Sequence, residues 1–361
     1  MKHIPVSEPV LFGNELKYVK DCIRSTWISG GPYVDRFERT FALFCGTKYA
    51  TTVSNGTAAL HLVLAALGVG VGDEVIVPDL TFVSTANVVA YTGARPIFAD
   101  VDRKTWCLDP GDIEKRITPN TKAVIVVHLY GHPADMDRIC AVARKHKLFV
   151  IEDACEAHGA LYKGGKVGSL GTAAAFSFYG NKIITTGEGG MITTEDRKLL
   201  ERINYLKAHA LDKKHEYYHS EIGYNYRLTN LQAAFGVAQL EHIHEVIAIK
   251  RKNALDYGNL LKDIKGIELP PDEPWAKSVF WMYSILLPNR RIRDALMQKL
   301  AKAGIETRPF FIPIHALPMY RSKGHFPVTQ DLSDRGMNLP SSAKLKRQDI
   351  EYICAQIKKY L

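Results

Sequence analysis

The sequence predicts an α/β protein in which a large domain with a mostly parallel sheet precedes a smaller α/β domain. Short β-branched runs alternate with helical patterns from Tyr49 to about Thr194, which is typical of a parallel sheet with helices on both faces. The 361 residues, 46% of them apolar, suffice for a large core. Because the pattern changes near Gly266, we assign residues 1–250 to an N-terminal segment and the large domain, and residues 251–361 to the small C-terminal domain.

The predicted strands of the large domain are short runs of apolar and β-branched residues. They are YATTV, EVIVP, PIFAD, KAVIVVH, LFVIED, AAAFSF and GMITT. Several intervening stretches have helical spacing, namely TAALHLVLAALG, a segment ending near Val89, and the amphipathic stretch from Met136 to His146. This order predicts the strand–helix–strand units of a mostly parallel sheet.

The rest of the chain is predicted to be largely helical. Helices are expected over 196–208 and over 230–262, the latter as two helices. In the small domain, WMYSILL (281–287) predicts a strand, 294–303 an amphipathic helix and 349–361 a terminal helix.

The charge balance points to anionic partners. The 47 basic and 38 acidic residues give a formal charge of +9, which suits phosphorylated ligands, nucleic acid or an acidic membrane surface. Basic residues alternate with acids, and we interpret KRKN (250–253) as a solvated helix face. Charge alone does not choose among these partners.

The cysteines favour a cytoplasmic protein. All six, at positions 22, 45, 107, 140, 155 and 354, lack CxxC spacing, which argues for reduced thiols and against a zinc site or disulfide framework. The N-terminus has no apolar signal core, and no apolar run approaches the roughly 18 residues that span a bilayer, so we expect no membrane insertion. His215 and His219 have i, i+4 spacing, but no cluster completes a site, so we expect no metal.

One lysine stands in a turn between two apolar strands, in FSFYGNKIITTGEGG (176–190). Partial desolvation of Lys182 there would favour its free, nucleophilic amine over the ammonium. A free amine forms an imine with a carbonyl compound, including the aldehyde of pyridoxal phosphate, which also needs a carboxylate at its ring nitrogen. Asp153 can supply that carboxylate because it ends the strand LFVIED, and open α/β sheets bind ligands at the carboxyl ends of strands.

A phosphate site is predicted between a strand and a helix, at Ser54-Asn55-Gly56-Thr57. Backbone amides at a helix N-terminus favour an anion; the alternative is a plain N-cap that only satisfies helix donors. If strand alternation holds, Ser177 points a hydroxyl toward the same region. Phe82, after another strand end, offers a ring face for a planar heterocycle, the alternative being a core aromatic.

Eight motifs together characterise the chain. They are TWISG (26–30), SNGTAAL (54–60), GDEVIVP (72–78), HLYGHPADM (128–136), IEDACEAHG (151–159), FSFYGNKIITTGEGG (176–190), GYNYRLTNLQAA (223–234) and TRPFFIPIHALPMY (307–320). On these motifs the chain resembles, nearly end to end, the DegT/DnrJ/EryC1/StrS family of sugar-nucleotide aminotransferases. Members of that family use pyridoxal 5'-phosphate and have the aspartate aminotransferase fold, known as fold type I.

The resemblance implies roles around the cofactor. Lys182 would be the Schiff-base lysine and proton carrier, and Asp153 would pair with the pyridinium. Glu156, where many members have glutamine, would approach the ring hydroxyl, and Phe82 would stack on the ring. The implied phosphate ligands are Gly56, Thr57 and Ser177.

The resemblance also implies partners. Asn225 would reach the cofactor phosphate of a neighbouring subunit, so a homodimer would share its active sites. The residues implied at the sugar nucleotide are Trp27, Ser29, Arg308 and His315. Glutamate would be the amino donor and would leave the cofactor as pyridoxamine 5'-phosphate, giving ping-pong kinetics.

Within the family, the Lys182 motif, Glu156 and the HALPMY tail most resemble members that aminate GDP-4-keto-6-deoxymannose, an activity of polysaccharide and O-antigen biosynthesis. Those members tend to have an RGQG-like segment where this chain has Lys207-Ala208-His209-Ala210. The loss of glycines removes permissive backbone from a loop expected to border the substrate. The alternatives are a UDP- or dTDP-linked 4-keto or 3-keto sugar.

Two rival functions fit the sequence less well. A dehydratase of the same fold would have histidine in place of the lysine, so Lys182 argues against it. A basic regulatory or nucleic-acid-binding protein would account for the charge, but no helix-turn-helix or aromatic-basic stripe is present. It would also leave the lysine, aspartate and phosphate turn unexplained.

Overall fold

The computed structural model describes residues 3–212 and 214–361. Within them the strands are β1 (Tyr49–Val53), β2 (Glu74–Pro78), β3 (Arg95–Ala99), β4 (Thr121–Val127), β5 (Phe149–Asp153), β6 (Leu161–Tyr162), β7 (Gly165–Lys166), β8 (Ala173–Ser177), β9 (Gly190–Thr194), β10 (Ala276–Lys277), β11 (Tyr283–Leu286), β12 (Arg308–Pro309) and β13 (Gly336–Leu339).

The helices of the same residues, leaving aside three single-turn 3₁₀ segments, follow in chain order. They are α1 (Glu15–Ser25), α2 (Pro32–Cys45), α3 (Gly56–Ala66), α4 (Ser84–Tyr91), α5 (Pro110–Arg116), α6 (Met136–His146), α7 (Arg197–Leu206), α8 (Asn230–Glu241), α9 (Ile243–Leu261), α10 (Arg290–Lys302), α11 (Pro327–Arg335) and α12 (Arg347–Tyr360).

A seven-stranded sheet in the order β1-β9-β8-β5-β4-β2-β3 forms the centre of the large domain. The pairings among β3, β2, β4, β5 and β8 are parallel, whereas β9 runs antiparallel to both of its neighbours. The prediction of an α/β fold with a mostly parallel sheet is therefore confirmed. Strand β5, which ends at Asp153, lies in the interior of this sheet.

Both faces of the sheet are covered, and strand β4 shows how. Val124 and Val126 pack into one apolar cluster, while Ala123 and Ile125 pack into the cluster on the opposite face. A strand buried on both faces needs a continuous apolar run rather than an alternating one, which explains KAVIVVH. The fold thus fixes β4 and β5 rigidly, and the site is built at their carboxyl ends.

Two N-terminal helices that the sequence analysis did not predict, α1 and α2, pack against α8. Asn230 secures them, because its Nδ2 donates to the Trp27 carbonyl (2.7 Å) and its Oδ1 accepts from the Tyr33 amide (3.0 Å). Helix α1 is amphipathic, but it precedes the region of alternating strands and helices from which the other elements are predicted.

The small domain has an antiparallel sheet in the order β11-β13-β12. Its core also includes Ile4, which is bridged to Ile305, so the N-terminal segment joins this domain. Helix α9 runs unbroken through the predicted boundary at 250/251: Val246 packs on the large core and Tyr257 on the small one. The division into 1–250 and 251–361 stays a prediction.

One interpretation of the charge pattern was wrong. KRKN was expected to be a solvated face of a helix, yet Lys250 is only 5% exposed and Asn253 only 6%. The Lys250 amine is drawn inward by backbone carbonyls of the small domain, which lie far away in the sequence.

The remaining sequence expectations concern thiols, metals and membranes. All six cysteines are free thiols. The segment around His215 and His219 forms turns rather than a helix, and in the described ranges no group of three or more potential ligands could hold a metal ion. Across those ranges we also find no helix whose length and apolar character would let it cross a membrane.

Candidate active site

A cavity of about 730 Å³ opens at the carboxyl ends of the central strands. Its walls include Phe82, which follows β2, and Val127, Asp153 and Ser177, which end β4, β5 and β8. This edge is the usual ligand-binding edge of an open α/β sheet. The sequence-predicted lysine also lines it, since Lys182 lies in the turn after β8.

Two helix N-termini meet in the wall of this cavity. Helix α3 begins at Gly56, where the Asn55 side chain accepts the Ala58 amide (2.8 Å) as an N-cap. Helix α4 begins at Ser84, whose hydroxyl oxygen accepts a hydrogen bond from Thr57 Oγ1 (3.0 Å). Amides and hydroxyls converging at helix N-termini favour a phosphate group. Because Asn55 caps the helix, the Thr57 hydroxyl is not needed for capping. The turn can therefore be both an N-cap and a phosphate site.

Gly56 allows this helix terminus to approach the sheet. A Cβ placed on it would lie 2.7 Å from Cys155 Sγ and 2.9 Å from Ser177 Cβ, both far inside van der Waals contact. The absence of a side chain at Gly56 therefore brings the first turn of α3 against the ends of β5 and β8, beside Ser177.

The Asp153 carboxylate is held in a fixed orientation. It is 7% exposed; its Oδ2 accepts from Thr85 Oγ1 (3.0 Å) and its Oδ1 from the Cys155 amide (3.3 Å). Thr85 is oriented in turn by Thr81, whose Oγ1 lies 3.1 Å from its own. A carboxylate so oriented at the edge of a cavity suits a protonated ring nitrogen.

Glu156 is the second acid of the cavity and is also buried. Its Oε2 accepts from the Tyr130 amide (2.8 Å). Burial raises the pKa of Glu156 to about 7, against the opposing effects of the nearby Lys182 charge and of that hydrogen bond. Near neutral pH this group can therefore present either a proton or a lone pair to a ligand.

The Lys182 amine is half-buried and lies over an aromatic ring. Its Nζ is 3.9 Å from the centroid of the Trp281 ring, a cation–π distance. The same indole donates from Nε1 to the carbonyl of Asn181 (2.7 Å), the residue before Lys182. Trp281 thus fixes both the backbone and the amine of the predicted catalytic lysine.

Two rings and a guanidinium lie at another part of the wall. Phe82 is 55% exposed and meets Phe311 edge-on, with ring centroids 5.9 Å apart. Arg308, on β12, lines the cavity, and its exposed guanidinium lies 3.3 Å from Glu306 Oε1. A weak, exposed ion pair leaves the guanidinium able to bind a ligand anion.

The other predicted ligand residues are not among the described residues that line the cavity. Asn225, Trp27 and Ser29 are exposed. His315 instead contacts Asp79: its backbone amide donates to Oδ1 (2.8 Å) and its Nδ1 lies 2.5 Å from Oδ2. Their predicted roles at the cofactor phosphate and the substrate stay predictions.

The segment that departs from the family pattern lies beside strand β1. The Lys207 amine contacts Thr51 Oγ1, the Thr52 carbonyl (3.0 Å) and the Glu38 carboxylate (3.5 Å). His209 and Ala210 have φ of +66° and +50°, so the chain adopts the left-handed conformation without glycine. Lys207 to Ala210 do not belong to the described lining of the cavity.

The site residues that the sequence analysis did not single out include Ser84, Thr85, Tyr130 and Trp281. Ser84 and Thr85 could have been found, because they open a helix just after β2, as Gly56 and Thr57 do after β1. Trp281 carries no such signal, since its position depends on how the small domain packs on the large one.

Comparisons with known proteins agree with this site. Residues 11–358 match the DegT/DnrJ/EryC1/StrS aminotransferase family. The chain is 48% identical over 362 residues to the GDP-perosamine synthase of Escherichia coli O157:H7, covering 100% of this chain and 99% of that protein. It is 45% identical over 367 residues to the GDP-perosamine synthase of Caulobacter vibrioides, with the same coverage.

A solved structure shows the same fold. DesV of S. venezuelae, in complex with a ketimine intermediate, is 33% identical, superposes with a TM-score of 0.93 and covers 100% of this chain and 99% of its own. The chain belongs to the DegT/DnrJ/EryC1/StrS aminotransferase family. It is a pyridoxal-phosphate-dependent sugar-nucleotide aminotransferase, and the non-catalytic regulatory alternative is not favoured.

The residues of the cavity fit that cofactor. An amine, a buried carboxylate and a two-helix anion site share one space, and the side-chain oxygen of Asn181 is buried there without a hydrogen-bond partner. Lysine, carboxylate and phosphate cradle are the donor set that pyridoxal 5'-phosphate requires.

Proposed function

We propose that the protein transfers the amino group of glutamate to GDP-4-keto-6-deoxymannose, forming GDP-perosamine. The observation that carries the proposal is the joining of Lys182, Asp153 and the α3 N-terminus in one cavity. The full-length likeness to proteins named GDP-perosamine synthase supports the choice of sugar. The alternatives within the same chemistry are a UDP- or dTDP-linked 4-keto or 3-keto sugar.

The side chains divide the work. Bound pyridoxal 5'-phosphate supplies the electron sink that lets a proton leave the amino-bearing carbon. Lys182 Nζ would form the covalent link to the cofactor and would carry that proton. Asp153 would keep the ring nitrogen protonated, and Thr85 holds the Asp153 carboxylate in place. Glu156, which accepts a hydrogen bond from the Tyr130 amide, would also hydrogen-bond the ring hydroxyl.

The remaining contacts are positional. Gly56, Thr57 and Ser177 would hold the phosphate, and Phe82 would cover one face of the ring. Arg308 would bind the diphosphate of the sugar nucleotide. Its guanidinium lies in the cavity wall near Phe311, and its ion pair with Glu306 is exposed and weak.

The proposal includes a homodimer with shared active sites. Asn225 would donate to the cofactor phosphate of the second subunit, and Trp27 and Ser29 would contact its sugar nucleotide. The exposure of all three supports this, because a second copy can reach them. We also place the protein in the cytoplasm, where its six free cysteines would stay reduced.

The experiment separates the two half-reactions. Purified holoenzyme is converted to the pyridoxamine form with glutamate, and excess glutamate is removed. It is then titrated with GDP-, UDP- and dTDP-linked 4-keto and 3-keto sugars while the return of the visible cofactor absorbance is followed. We expect rapid return with GDP-4-keto-6-deoxymannose. Return with another sugar would overturn the substrate, and return with none would overturn the proposed transfer.

Variants assign the roles. Lys182→Ala should bind cofactor noncovalently and lose turnover, and Asp153→Asn should be almost inactive, because a neutral amide does not hold the ring nitrogen protonated. Lys163→Ala is the control and should keep full activity, because the Lys163 amine pairs with Asp137 on the surface (2.6 Å). An active Lys182→Ala variant would contradict the assigned mechanism.

A further inference from the structure

A second buried amine lies behind Lys182. Lys250, on helix α9, is 5% exposed. Its Nζ donates to the backbone carbonyls of Trp281 (3.2 Å) and Ser341 (2.5 Å), and within the described ranges it forms no ion pair with a carboxylate. Burial lowers the pKa of Lys250 to about 7. Burying an amine without a counter-ion costs folding free energy. A methionine would fill the same space without that cost. The presence of a hydrogen-bonded lysine at position 250 therefore calls for an explanation.

One of the two hydrogen bonds of Lys250 ends at Trp281, the residue that contacts Lys182. Lys250 holds the backbone of Trp281 to helix α9, and the indole of Trp281 lies against the Lys182 amine (3.9 Å to the centroid). The indole Nε1 also binds the Asn181 carbonyl. The ring is therefore fixed through its backbone on one side and through its nitrogen on the other.

A small space lies between the two lysines. Lys182 and Lys250 both line a cavity of about 10 Å³, together with Thr185 and Gln239. That volume admits about one water molecule. Lys182 also lines the large cavity, so the side chain of Lys182 borders both spaces.

We propose that Lys250 is a positioning residue that, through Trp281, fixes the place of the Lys182 amine. Trp281 is the intermediate link, because its ring lies against the Lys182 amine at a cation–π distance. The inference deepens the proposed function and rests on the role of Lys182 in it.

The first test measures the amine itself. In the cofactor-free full-length chain, Lys182 is labelled with a small acylating reagent, and the labelled peptide is quantified by mass spectrometry over time. Loss of the cation–π contact in Trp281→Leu should speed labelling about threefold, because the ring no longer covers the amine. Lys250→Met, which keeps the stem but loses both carbonyl contacts, should act in the same direction. Lys252→Met, on the same helix with its side chain 69% exposed, should leave the rate unchanged.

The second test uses the holoenzyme. Lys250→Met and Trp281→Phe should each lower kcat about tenfold and leave KM for the sugar nucleotide within about twofold, because the loss concerns the placement of the reacting amine. Visible circular dichroism of the bound cofactor should change as well. The double variant should lose little more than either single one, as expected of residues that act in series.

The outcomes distinguish this inference from the proposed function. Wild-type labelling in both Lys250→Met and Trp281→Leu, together with wild-type kcat in both Lys250→Met and Trp281→Phe, would overturn the positioning role while leaving the transaminase intact. An equal loss of kcat in Lys252→Met would also overturn the positioning role. It would show that removing any positive charge from α9 has the same effect. Absence of transfer in the wild-type protein would instead overturn the proposed function, and the labelling experiment would still test the contact. Lys250→Met is expected to fold, since exchange of a buried charge for an apolar group of similar volume is often neutral.

Discussion

The side chain of His315 and the carboxylate of Asp79 meet at 2.5 Å, although 236 positions separate them. Asp79 follows strand β2 and is fully buried, and burial raises its pKa while the hydrogen bonds from His315 oppose that rise. His315 belongs to the segment that also carries Arg308 and Phe311 to the cavity. The pair therefore joins the cavity-lining part of the small domain to the end of β2.

His315→Ala should weaken binding of the sugar nucleotide. Loss of the imidazole leaves the segment with Arg308 held to Asp79 by backbone amides alone. It also leaves the buried Asp79 Oδ2 without its side-chain donor, at a cost of about 1–3 kcal/mol in unfolding free energy. We expect KM to rise about tenfold and kcat to stay within about twofold, as for a lost binding contact. Steady-state kinetics and denaturant unfolding would measure both effects.

His315→Asn provides the control, because its amide can donate in place of Nδ1 and should restore much of the affinity. A collapse of kcat in His315→Ala with KM unchanged would contradict this account and would place His315 at the chemistry instead.

Glu156→Gln should change the pH dependence of stability. The folded-state pKa of Glu156 is raised to about 7, so the folded chain binds a proton that the unfolded chain releases near 4.5. The protonated form of Glu156 therefore favours the folded state at low pH, and this contribution to the unfolding free energy is lost as the pH rises from about 4.5 through 7. The glutamine variant stays neutral and keeps an acceptor for the Tyr130 amide. At pH 8 it should be more stable than the parent by up to about 3 kcal/mol.

Denaturant unfolding of cofactor-free protein at pH 5, 6, 7 and 8 would test this. The difference between variant and parent should grow across the series. Glu188→Gln, at an exposed position of the same cavity, should run parallel to the parent. Parallel curves for Glu156→Gln as well would contradict a pKa near 7 for this carboxyl.

Thr85→Val should lower catalytic efficiency without disturbing the fold. Valine has the shape of threonine but removes the hydroxyl that donates to Asp153 Oδ2 (3.0 Å). The Asp153 carboxylate would lose one of its two positioning contacts, and we expect kcat/KM to fall about tenfold, equivalent to about 1.4 kcal/mol. Thr85→Ser keeps the hydroxyl and should retain most of the activity. Equal losses in both variants would mean that packing, and not the hydrogen bond, is what matters.

The features that could be predicted from the sequence were those that depend on neighbouring residues in the chain. β-branched runs located the strands of the central sheet, and strand-end logic located Asp153 and the turn at Gly56. Contacts between distant segments could not be predicted in this way. KRKN looked like a surface run, yet Lys250 is buried because carbonyls at 281 and 341 surround it. The contact of His315 with Asp79 and the placement of Trp281 depend in the same way on the packing of the two domains.

Gly223→Ala should destabilise the chain and displace the loop that carries Asn225. The loop pairs with the segment after α7, since the His209 amide donates to the Tyr224 carbonyl (2.9 Å). A Cβ on Gly223 would lie 2.2 Å from the Ala210 nitrogen, and a backbone atom cannot move aside as a flexible side chain does. We expect a loss of about 2–3 kcal/mol in unfolding free energy.

Gly258→Ala is the matched control for that prediction. Gly258 lies within α9, and a Cβ there would meet its nearest neighbour, Tyr283 Oη, at 3.7 Å, an ordinary contact. Alanine should stabilise this helix by about 0.5–1 kcal/mol. Thermal and denaturant unfolding of both variants should therefore shift in opposite directions. A stable Gly223→Ala would mean that the two segments separate easily, and that Asn225 is not held in place by the pairing observed.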